Sequence, residues 1–355
     1  MGEKHIVRFE PVGIEIEVDE DQTILRAAAE QGVQLMHGCK EGQCAACKSF
    51  VLEGDMDDID LERYSTFALP DYEKEEGQTL LCRAHPYSDL VIELLQYDEE
   101  IIRNGLPLRK GVAEVVANDP VTHDMRHLAL KLIEPEEGIK FFPGQYLDIT
   151  VPDTDESRSF SMANTPGREG RFEFVIKTYP DGLFSEYLAT KLAVGDRLDV
   201  EGPFGTFTLR ESRTSPIVFV GGGAGMAPVL SLLRSMAERG VDRQAVFYYG
   251  ARGQRDLCFE EELRSLESKI PGFRYVPALS EPSSDGQGGD GWAGEVGLIT
   301  EVVKRCEPDL SGRDAYVCGP PPMVDAAIPM LTSLGVPEQH IFYDKFTTTG
   351  EQGED

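Results

Sequence analysis

The spacing of apolar and polar positions divides the chain into three stretches. Residues 5–9 and 14–18 alternate or run apolar, which predicts two paired β-strands. Asp21, Gln22 and Thr23 precede the apolar run of residues 24–31, which predicts a capped helix that stops at Gly32. Residues 1–98 are therefore predicted to form a small β-rich domain. Residues 97–107, which are charged and contain a glycine and a proline, are predicted to be a linker.

Residues 106–210 show strand after strand, broken by glycine and proline. The runs at 112–117, 127–132 and 146–151 suit a small antiparallel β-barrel. From Ser215 a buried strand (216–220) leads into a glycine cluster and a helical run (229–234), and further strands follow at 245–249 and 315–318. This β/α alternation predicts a doubly wound domain over residues 215–355, with an exposed loop at 280–290.

Composition limits the class of protein and its surroundings. A chain of 355 residues suggests two or three domains, and no apolar run approaches the roughly 20 residues of a membrane span. The first residues lack an apolar signal region, and seven scattered cysteines do not resemble a secreted disulfide framework. We therefore expect a cytoplasmic protein without a membrane partner, and a monomer when isolated.

The charge of the chain is strongly negative and unevenly spread. The formal net charge of −29 argues against nucleic acid as a partner. Residues 1–105 hold 24 acidic against 9 basic side chains, which is about half of the excess. This acidic first domain has two interpretations that the sequence leaves open, namely solubility and docking onto a complementary redox partner.

Four cysteines carry the most specific signal. Cys39, Cys44 and Cys47 have the spacing C-x₄-C-x₂-C, and Cys82 lies well downstream. This spacing is typical of the ligands of a plant-type [2Fe–2S] cluster, and small residues in the loop let backbone amides point at sulfur. A zinc site that uses His85 as its fourth ligand is the alternative, although zinc sites usually pair two short C-x₂₋₄-C units. A disulfide framework is a further alternative.

Two later motifs indicate nucleotide chemistry. A strand runs directly into Gly221-Gly222-Gly223-Ala224-Gly225-Met226-Ala227-Pro228 and a helix, which lets backbone N–H groups meet a pyrophosphate. This motif departs from the strict G-x-G-x-x-G fingerprint. When it is considered in isolation, a structural strand-to-helix turn is therefore an alternative interpretation. Cys318-Gly319-Pro320-Pro321 follows a later strand of the same domain.

Together with Arg158-Ser159-Phe160-Ser161, these motifs resemble, in order, the three signatures of the ferredoxin–NADP⁺ reductase superfamily. With the cysteine motif at the front, residues 5–346 resemble the reductase components of soluble multicomponent oxygenases. Cys82-Arg83 and the ending of residues 341–346 are most similar to the reductases of di-iron monooxygenases for methane, propane or phenol. The resemblance implies a β-grasp-like ferredoxin domain, an antiparallel β-barrel FAD domain and a doubly wound α/β nucleotide domain.

The resemblance also implies roles for individual residues. Arg158 would pair with the FAD pyrophosphate, Phe160 would lie against the isoalloxazine ring, and Ser161 would sit near flavin N5. Phe160 replaces the tyrosine that is more common in the family, so only stacking is expected of its ring. The expected flavin or flavin-phosphate contacts further include Ser159, Val175, Ile176, Lys177, Gly182, Leu183, Phe184 and Ser185.

For the dinucleotide, the resemblance implies that Cys318 faces the nicotinamide and that Phe346 covers the flavin ring. The alternative interpretation of Cys318 is a packing residue, and that of Phe346 is a simple C-terminal anchor. Arg252 would lie at the ribose edge, where nearby acids favour NADH over NADPH. The expected pyrophosphate and nicotinamide contacts are Gly222, Gly223, Gly225, Met226, Ala227, Pro228, Cys318, Gly319 and Pro320.

The number of electrons that each cofactor transfers connects the three modules. NADH gives up two electrons at once, a [2Fe–2S] cluster accepts one, and a flavin converts between them. We therefore predict an NADH-dependent oxidoreductase that passes electrons from FAD to the cluster and then to the hydroxylase of a di-iron monooxygenase. A reductase for a Rieske-type ring-hydroxylating dioxygenase is the alternative within enzymes. A non-catalytic cluster module with a vestigial flavin site is the alternative of another class.

Overall fold

The structure is a computed structural model that describes residues 2–167, 170–282 and 292–346. The chain divides into two compact units, Met1–Arg109 with Gly202–Thr206 and Lys110–Glu201 with Phe207–Asp355. The loop predicted at 280–290 lies, from residue 283 onward, outside the described residues. Within them, no helix is both long enough and apolar enough to cross a membrane.

The first unit is a mixed sheet with a helix packed on it. The sheet has the strand order β2-β1-β7-β3-β5, in which β1 pairs antiparallel with β2 and parallel with β7. Helix α1 begins after Thr23, whose hydroxyl accepts the N–H of Arg26, and buries Ile24, Leu25 and three alanines. This confirms the predicted β-grasp-like fold. Its elements are β1 (Lys4–Glu10), β2 (Ile14–Asp19), α1 (Ile24–Glu30), β3 (Lys48–Glu53), β4 (Ile59–Leu61), α2 (Asp71–Glu75), β5 (Gln78–Leu80), β6 (Ala84–Pro86) and β7 (Leu90–Leu94).

The predicted linker differs from the observed structure. A short helix, α3 (Glu99–Arg103), occupies the stretch of residues 97–107. Asp98 caps it through its carboxylate, Ile102 is buried in the core of the first unit, and Arg103 donates a hydrogen bond to the Val12 carbonyl at 2.9 Å. The charged residues of this stretch suggested a solvated linker, but the buried Ile102 and the hydrogen bond of Arg103 attach the helix to the domain.

The second unit begins with the barrel. Its six-stranded sheet has the order β11-β10-β13-β8-β9-β12, and an antiparallel bridge between Met162 and Phe174 joins its two edges. Apolar side chains from these strands and from α4 fill the interior. The predicted antiparallel barrel is therefore confirmed. Its elements are β8 (Arg109–Pro120), β9 (Met125–Glu134), β10 (Tyr146–Thr150), β11 (Ser157–Ser161), β12 (Arg171–Lys177), α4 (Leu183–Thr190) and β13 (Arg197–Phe204).

The rest of the second unit is a parallel sheet of order β17-β16-β15-β14-β18-β19 with helices on both faces. The chain order reverses between β14 and β18, which makes their carboxyl ends a switch point where open α/β sheets bind ligands. The doubly wound fold is confirmed. Its elements are β14 (Ile217–Gly222), α5 (Met226–Arg239), β15 (Ala245–Ala251), α6 (Glu260–Glu267), β16 (Phe273–Leu279), β17 (Glu295–Val296), α7 (Ile299–Cys306), β18 (Asp314–Gly319), α8 (Pro321–Ser333) and β19 (Ile341–Lys345).

Candidate electron-transfer site

Residues 38–47, which we call the ligand loop, connect α1 with β3 and curl tightly. Lys40, Gly42 and Ala45 all have positive φ angles of 58–71°. At Gly42 a side chain would also collide with its surroundings, because a Cβ there would lie 2.7 Å from the Cβ of Tyr64. Glycine is therefore required at this position. The curled backbone turns its N–H groups inward.

The four cysteines of the predicted cluster site meet as two pairs. The sulfurs of Cys47 and Cys82 lie 3.2 Å apart, and the thiols of Cys39 and Cys44 are hydrogen bonded to each other. Backbone amides point at the sulfurs: the N–H groups of Glu41 and Gln43 donate to Cys39 Sγ at 3.4 and 3.3 Å. The hydrogen bond with Cys44 and these amides lower the pKa of the Cys39 thiol to about 5, against the effect of burial.

This arrangement fits a binuclear cluster better than a single metal ion. Four thiolates around one zinc ion would lie about 3.8 Å from each other, given a Zn–S bond of about 2.3 Å. Among the described residues, no three of these sulfurs lie within 4.8 Å of one another. Two pairs of thiols suit two irons with two thiolates each. His85 is also engaged elsewhere, with Nδ1 2.9 Å from the Glu20 carbonyl oxygen and Nε2 3.1 Å from a Glu62 carboxylate oxygen.

The Arg-Ser-Phe-Ser motif forms strand β11 at an edge of the barrel sheet. Arg158 is held by the Glu156 carboxylate at 2.6 Å and donates to the Ser157 carbonyl at 2.8 Å. Ser159 donates to Asp148 Oδ1 at 2.5 Å on the paired strand β10. Because the strand alternates, Ser161 lies on the opposite face from Phe160, and it is buried.

The aromatic and aliphatic members of the predicted flavin site lie on neighbouring elements. The rings of Phe160 and Phe184 pack with centroids 4.9 Å apart, and Phe160 stays half-buried. On β12, Val175 packs toward the nucleotide portion and Ile176 packs into the barrel core. Any contact of Ile176 with a flavin would therefore use its backbone. Lys177 forms an ion pair with Asp124 at 2.7 Å.

Residues 182–185 start helix α4, as the predicted phosphate contact requires. Gly182 is its N-cap, and a Cβ there would lie 2.9 Å from the Ser185 hydroxyl. That hydroxyl accepts the N–H of Tyr179 at 3.0 Å, which closes the turn before the helix. Leu183 is exposed and Phe184 is buried, so the first turn has one open face.

The glycine cluster and the Cys-Gly-Pro-Pro motif meet at the switch point of the parallel sheet. Gly221 of β14 pairs with Cys318 of β18, and a Cβ on Gly225 would lie 2.1 Å from the Cys318 carbonyl oxygen. No other residue fits at position 225. Met226, Ala227 and Pro228 form the buried first turn of α5, a helix of 14 residues whose N-terminus is a favourable place for an anion. Pro320 is the N-cap of α8.

One charged residue near this point was not predicted from the sequence. Asp344 lies opposite Cys318 in the register of β18 and β19, and burial raises its pKa to about 6. Burial, followed by the nearby Asp344 charge, raises the pKa of the Cys318 thiol well above its ordinary value. The N–H of Phe346 donates to the Gly319 carbonyl at 3.0 Å, so Phe346 is held beside the same motif. In the sequence, only its position two residues before Phe346 indicated that Asp344 lies near this site.

Two further contacts hold this region together, and neither was evident from the sequence. Arg234 of α5 binds Glu262 at 2.7 Å, the Ala163 carbonyl at 2.9 Å and Glu173 of the barrel at 3.5 Å. The buried Tyr249 hydroxyl donates to the Gly223 carbonyl at 3.0 Å. The contacts of Arg234 tie helix α5 to the barrel. The hydrogen bond of Tyr249 fixes the backbone of the glycine cluster at Gly223.

The predicted ribose edge lies just beyond strand β15. Arg252 is exposed there, and Asp256 accepts the N–H of Gly253 at 2.8 Å. Asp256 also lies 3.7 Å from His123, which together with Asp124 forms a group of possible metal-binding atoms. Since Lys177 and Thr122 already bind the Asp124 carboxylate, this group is best described as a polar contact between barrel and nucleotide portion.

Comparison with known proteins agrees with the geometry. Three family profiles match: the 2Fe-2S iron-sulfur cluster binding domain over residues 7–87, the oxidoreductase FAD-binding domain over 112–209, and the oxidoreductase NAD-binding domain over 219–328. The chain is therefore an oxidoreductase with a [2Fe–2S] cluster, FAD and a nicotinamide dinucleotide as its cofactors. This confirms the cofactors predicted from the sequence.

Curated relatives match over nearly the full length. The chain is 50% identical to the propane 2-monooxygenase reductase component of Rhodococcus jostii, over 98% of this chain and 93% of that protein. It is 35% identical to the phenol 2-monooxygenase reductase component DmpP of Pseudomonas, over 97% and 95%. The cytochrome P450 reductase GcoB of Amycolatopsis matches with a TM-score of 0.84 and 30% identity, over 97% and 99%. The chain belongs to the family of reductase components of multicomponent monooxygenases, as predicted.

Proposed function

We propose that this chain passes electrons from NADH to the hydroxylase of a multicomponent monooxygenase that oxidises a small hydrocarbon such as propane. The observation that supports this most is 50% identity, over nearly the full length, to a propane 2-monooxygenase reductase component. When bound, FAD takes two electrons from NADH and releases them singly, in the form that a [2Fe–2S] cluster accepts. The proposed modules are residues 1–98, 106–210 and 215–355.

In the first module, Cys39, Cys44, Cys47 and Cys82 hold the cluster as two pairs. The inward amides of the ligand loop stabilise the negative charge of the thiolates. Cys44 is exposed whereas Cys47 and Cys82 are buried, so the edge at Cys44 is the one that an electron acceptor can approach. The module therefore buries the Cys47–Cys82 pair and leaves the Cys39–Cys44 pair accessible.

In the second module, the barrel holds FAD by its edge strand and by α4. The Arg158 guanidinium has five N–H donors. Its contacts with Glu156 and Ser157 do not use all of them, so some can bind a pyrophosphate. Phe160, braced by Phe184, offers an aromatic face for the ring. Ser161 and Val175 border the ring site, and the start of α4 supplies N–H groups for a phosphate.

In the third module, the switch point holds the dinucleotide. Gly222, Gly223 and Gly225 let the backbone approach the pyrophosphate, and the N-terminus of α5 favours its charge. Cys318 and Gly319 border the nicotinamide, and Phe346 is held beside them. Asp256 and its acidic neighbours next to Arg252 would repel a 2′-phosphate, which favours NADH over NADPH.

The partner would dock on the acidic face of the first module. The acids that follow the ligand loop are largely exposed, with Asp58, Glu62 and Glu73 half-buried: Glu53, Asp55, Asp57, Asp58, Asp60, Glu62, Asp71, Glu73, Glu75 and Glu76. A hydroxylase with a basic patch would associate faster through this field. Neither nucleic acid nor a membrane is a proposed partner, and we propose a cytoplasmic protein that is monomeric when isolated.

Reconstitution tests the proposed function directly. The purified chain should show flavin and cluster absorption bands that NADH bleaches, which excludes a vestigial flavin site. With the hydroxylase of the Rhodococcus jostii propane 2-monooxygenase, it should support the NADH-dependent oxidation of propane by O₂. Support of a phenol hydroxylase or a Rieske dioxygenase, but not of this hydroxylase, would refute the assignment.

The salt dependence tests the acidic interface. Partner-coupled turnover should fall as salt screens charges over a Debye length of about 10 Å at 0.1 M, whereas NADH–ferricyanide turnover should change far less. Replacing both Asp55 and Asp57 by lysine should slow association and flatten the salt dependence. Equal salt responses of both reactions would show that the acids are only a solvated surface.

A further inference from the structure

The surface of the first unit carries one aromatic side chain that has no packing role within it. Phe67 is 94% exposed, although the two residues that follow it, Ala68 and Leu69, are buried in the core. The backbone around it is fixed, since the N–H groups of Ala68 and Leu69 both donate to the Ser65 carbonyl. A phenylalanine held outward on an ordered turn loses the free energy that burial would give.

A short series of hydrogen bonds connects Phe67 to the ligand loop. Its N–H donates to the Ser65 hydroxyl at 3.3 Å, and the Ser65 N–H donates to the Gly42 carbonyl at 3.0 Å. The Gly42 N–H is in turn bonded to the sulfur of Cys82. Tyr64 packs directly on Gly42. The turn that presents Phe67 is therefore attached to the proposed cluster site itself.

The surroundings of Phe67 are polar and acidic. Glu41, Gln43 and Cys44 of the ligand loop are exposed. Helix α2, which begins directly after Leu69 and Pro70, presents the carboxylates of Asp71 and Glu75 and a Tyr72 side chain that is 62% exposed. Protein interfaces are commonly built in this way, with an apolar aromatic centre and a charged rim.

We propose that Phe67 is the apolar anchor with which this protein docks its electron acceptor, the hydroxylase. The inference rests on the proposed function. The acidic rim commits the partner to a basic surface, and Phe67 requires an apolar pocket within that surface. The rim then sets the rate of encounter and Phe67 sets the lifetime of the complex, because charged rims act mainly on association and buried anchors on dissociation.

The experiment compares Phe67→Ala and Phe67→Leu with the unmodified protein. Binding to the Rhodococcus jostii propane 2-monooxygenase hydroxylase is measured by biolayer interferometry at several salt concentrations. Phe67→Ala should raise the Kd by about 30-fold, mainly through faster dissociation, and Phe67→Leu by less. The slope of binding against salt should stay unchanged, because no charge is removed. Tyr97→Ala, which removes a 50% exposed aromatic outside this turn, is the matched control and should bind normally.

Three outcomes decide the inference. Cluster content, the electron paramagnetic resonance spectrum and NADH–ferricyanide turnover should be unchanged in Phe67→Ala; altered spectra with weakened binding would mean that Phe67 shapes the cluster site, which overturns the anchor role. Equal affinity of Phe67→Ala and the unmodified protein would also overturn it while the proposed function stands. Absence of binding and of coupled turnover in the unmodified protein would overturn the proposed function and this inference together.

Discussion

Glu173 lies where the barrel meets the nucleotide portion, and its replacement by glutamine should measurably destabilise the second unit. Its carboxylate lies 3.7 Å from His127, 3.5 Å from Arg234 and 3.0 Å from Arg171. The contact with His127, followed by the charges of Arg234 and His127, lowers the pKa of Glu173 from 4.5 to about 2, against the effect of burial. The side chain is only 12% exposed, so solvent screens these interactions little.

The magnitude follows from the pKa. A difference of one unit corresponds to about 1.4 kcal/mol, so the lowered value contributes about 3 kcal/mol to the free energy of unfolding at neutral pH. Because the pKa is lower in the folded state, the contribution is complete above the unfolded value of 4.5 and is lost as the pH falls toward 2. About 1 kcal/mol should be lost by pH 4 and about 2 kcal/mol by pH 3.

The assay is urea unfolding of the full-length protein, followed by flavin fluorescence so that the second unit is observed alone. Glu173→Gln should lower the free energy of unfolding by about 3 kcal/mol at pH 6–7, with a smaller difference at pH 4. Glu211→Gln is the control, since Glu211 pairs with Arg239 while 60% exposed and should cost under about 1 kcal/mol. A cost equal to that of the control, or a difference that does not change between pH 6 and pH 3.5, would show that the Glu173 carboxylate does not contribute this stability.

Two further substitutions test the electron path, and a third tests how a buried carboxyl group affects stability. Cys44→Ser should cripple the cluster and abolish coupled turnover but leave FAD and NADH–ferricyanide turnover intact; loss of both activities would contradict a linear path. Cys318→Ala should slow flavin reduction in stopped flow by about tenfold or more, which is about 1.4 kcal/mol, with little change in NADH affinity; an unchanged rate would return Cys318 to a packing role. Since the folded pKa of Asp344 is raised to about 6, stability should fall as the pH rises from about 4 to 6. Asp344→Asn should remove that fall, as thermal unfolding across this range can check, and an unaltered pH profile would exclude Asp344 as its cause.

The order of the modules and the chemistry of each one follow from local patterns in the amino-acid sequence. The spacing of Cys39, Cys44 and Cys47 is a local property, because one loop must supply three thiolates to one cluster. The glycine cluster after β14 is equally local, since a strand that enters a helix through glycines creates the anion site within about ten residues. The period of the apolar residues distinguished the barrel from the doubly wound sheet.

Which of these residues come into contact depends on the three-dimensional fold. The pairing of Cys47 with Cys82 depends on bringing together chain segments 35 residues apart, and spacing alone permits other pairings. Asp344 comes beside Cys318 through the parallel register of β18 and β19, and Glu173 meets Arg234 through packing of the barrel on α5. The exposure of Phe67 depends on the turn that places Ala68 and Leu69, but not Phe67, in the core of the first unit. Long-range contacts of this kind follow from strand order and side-chain packing, which periodicity does not encode.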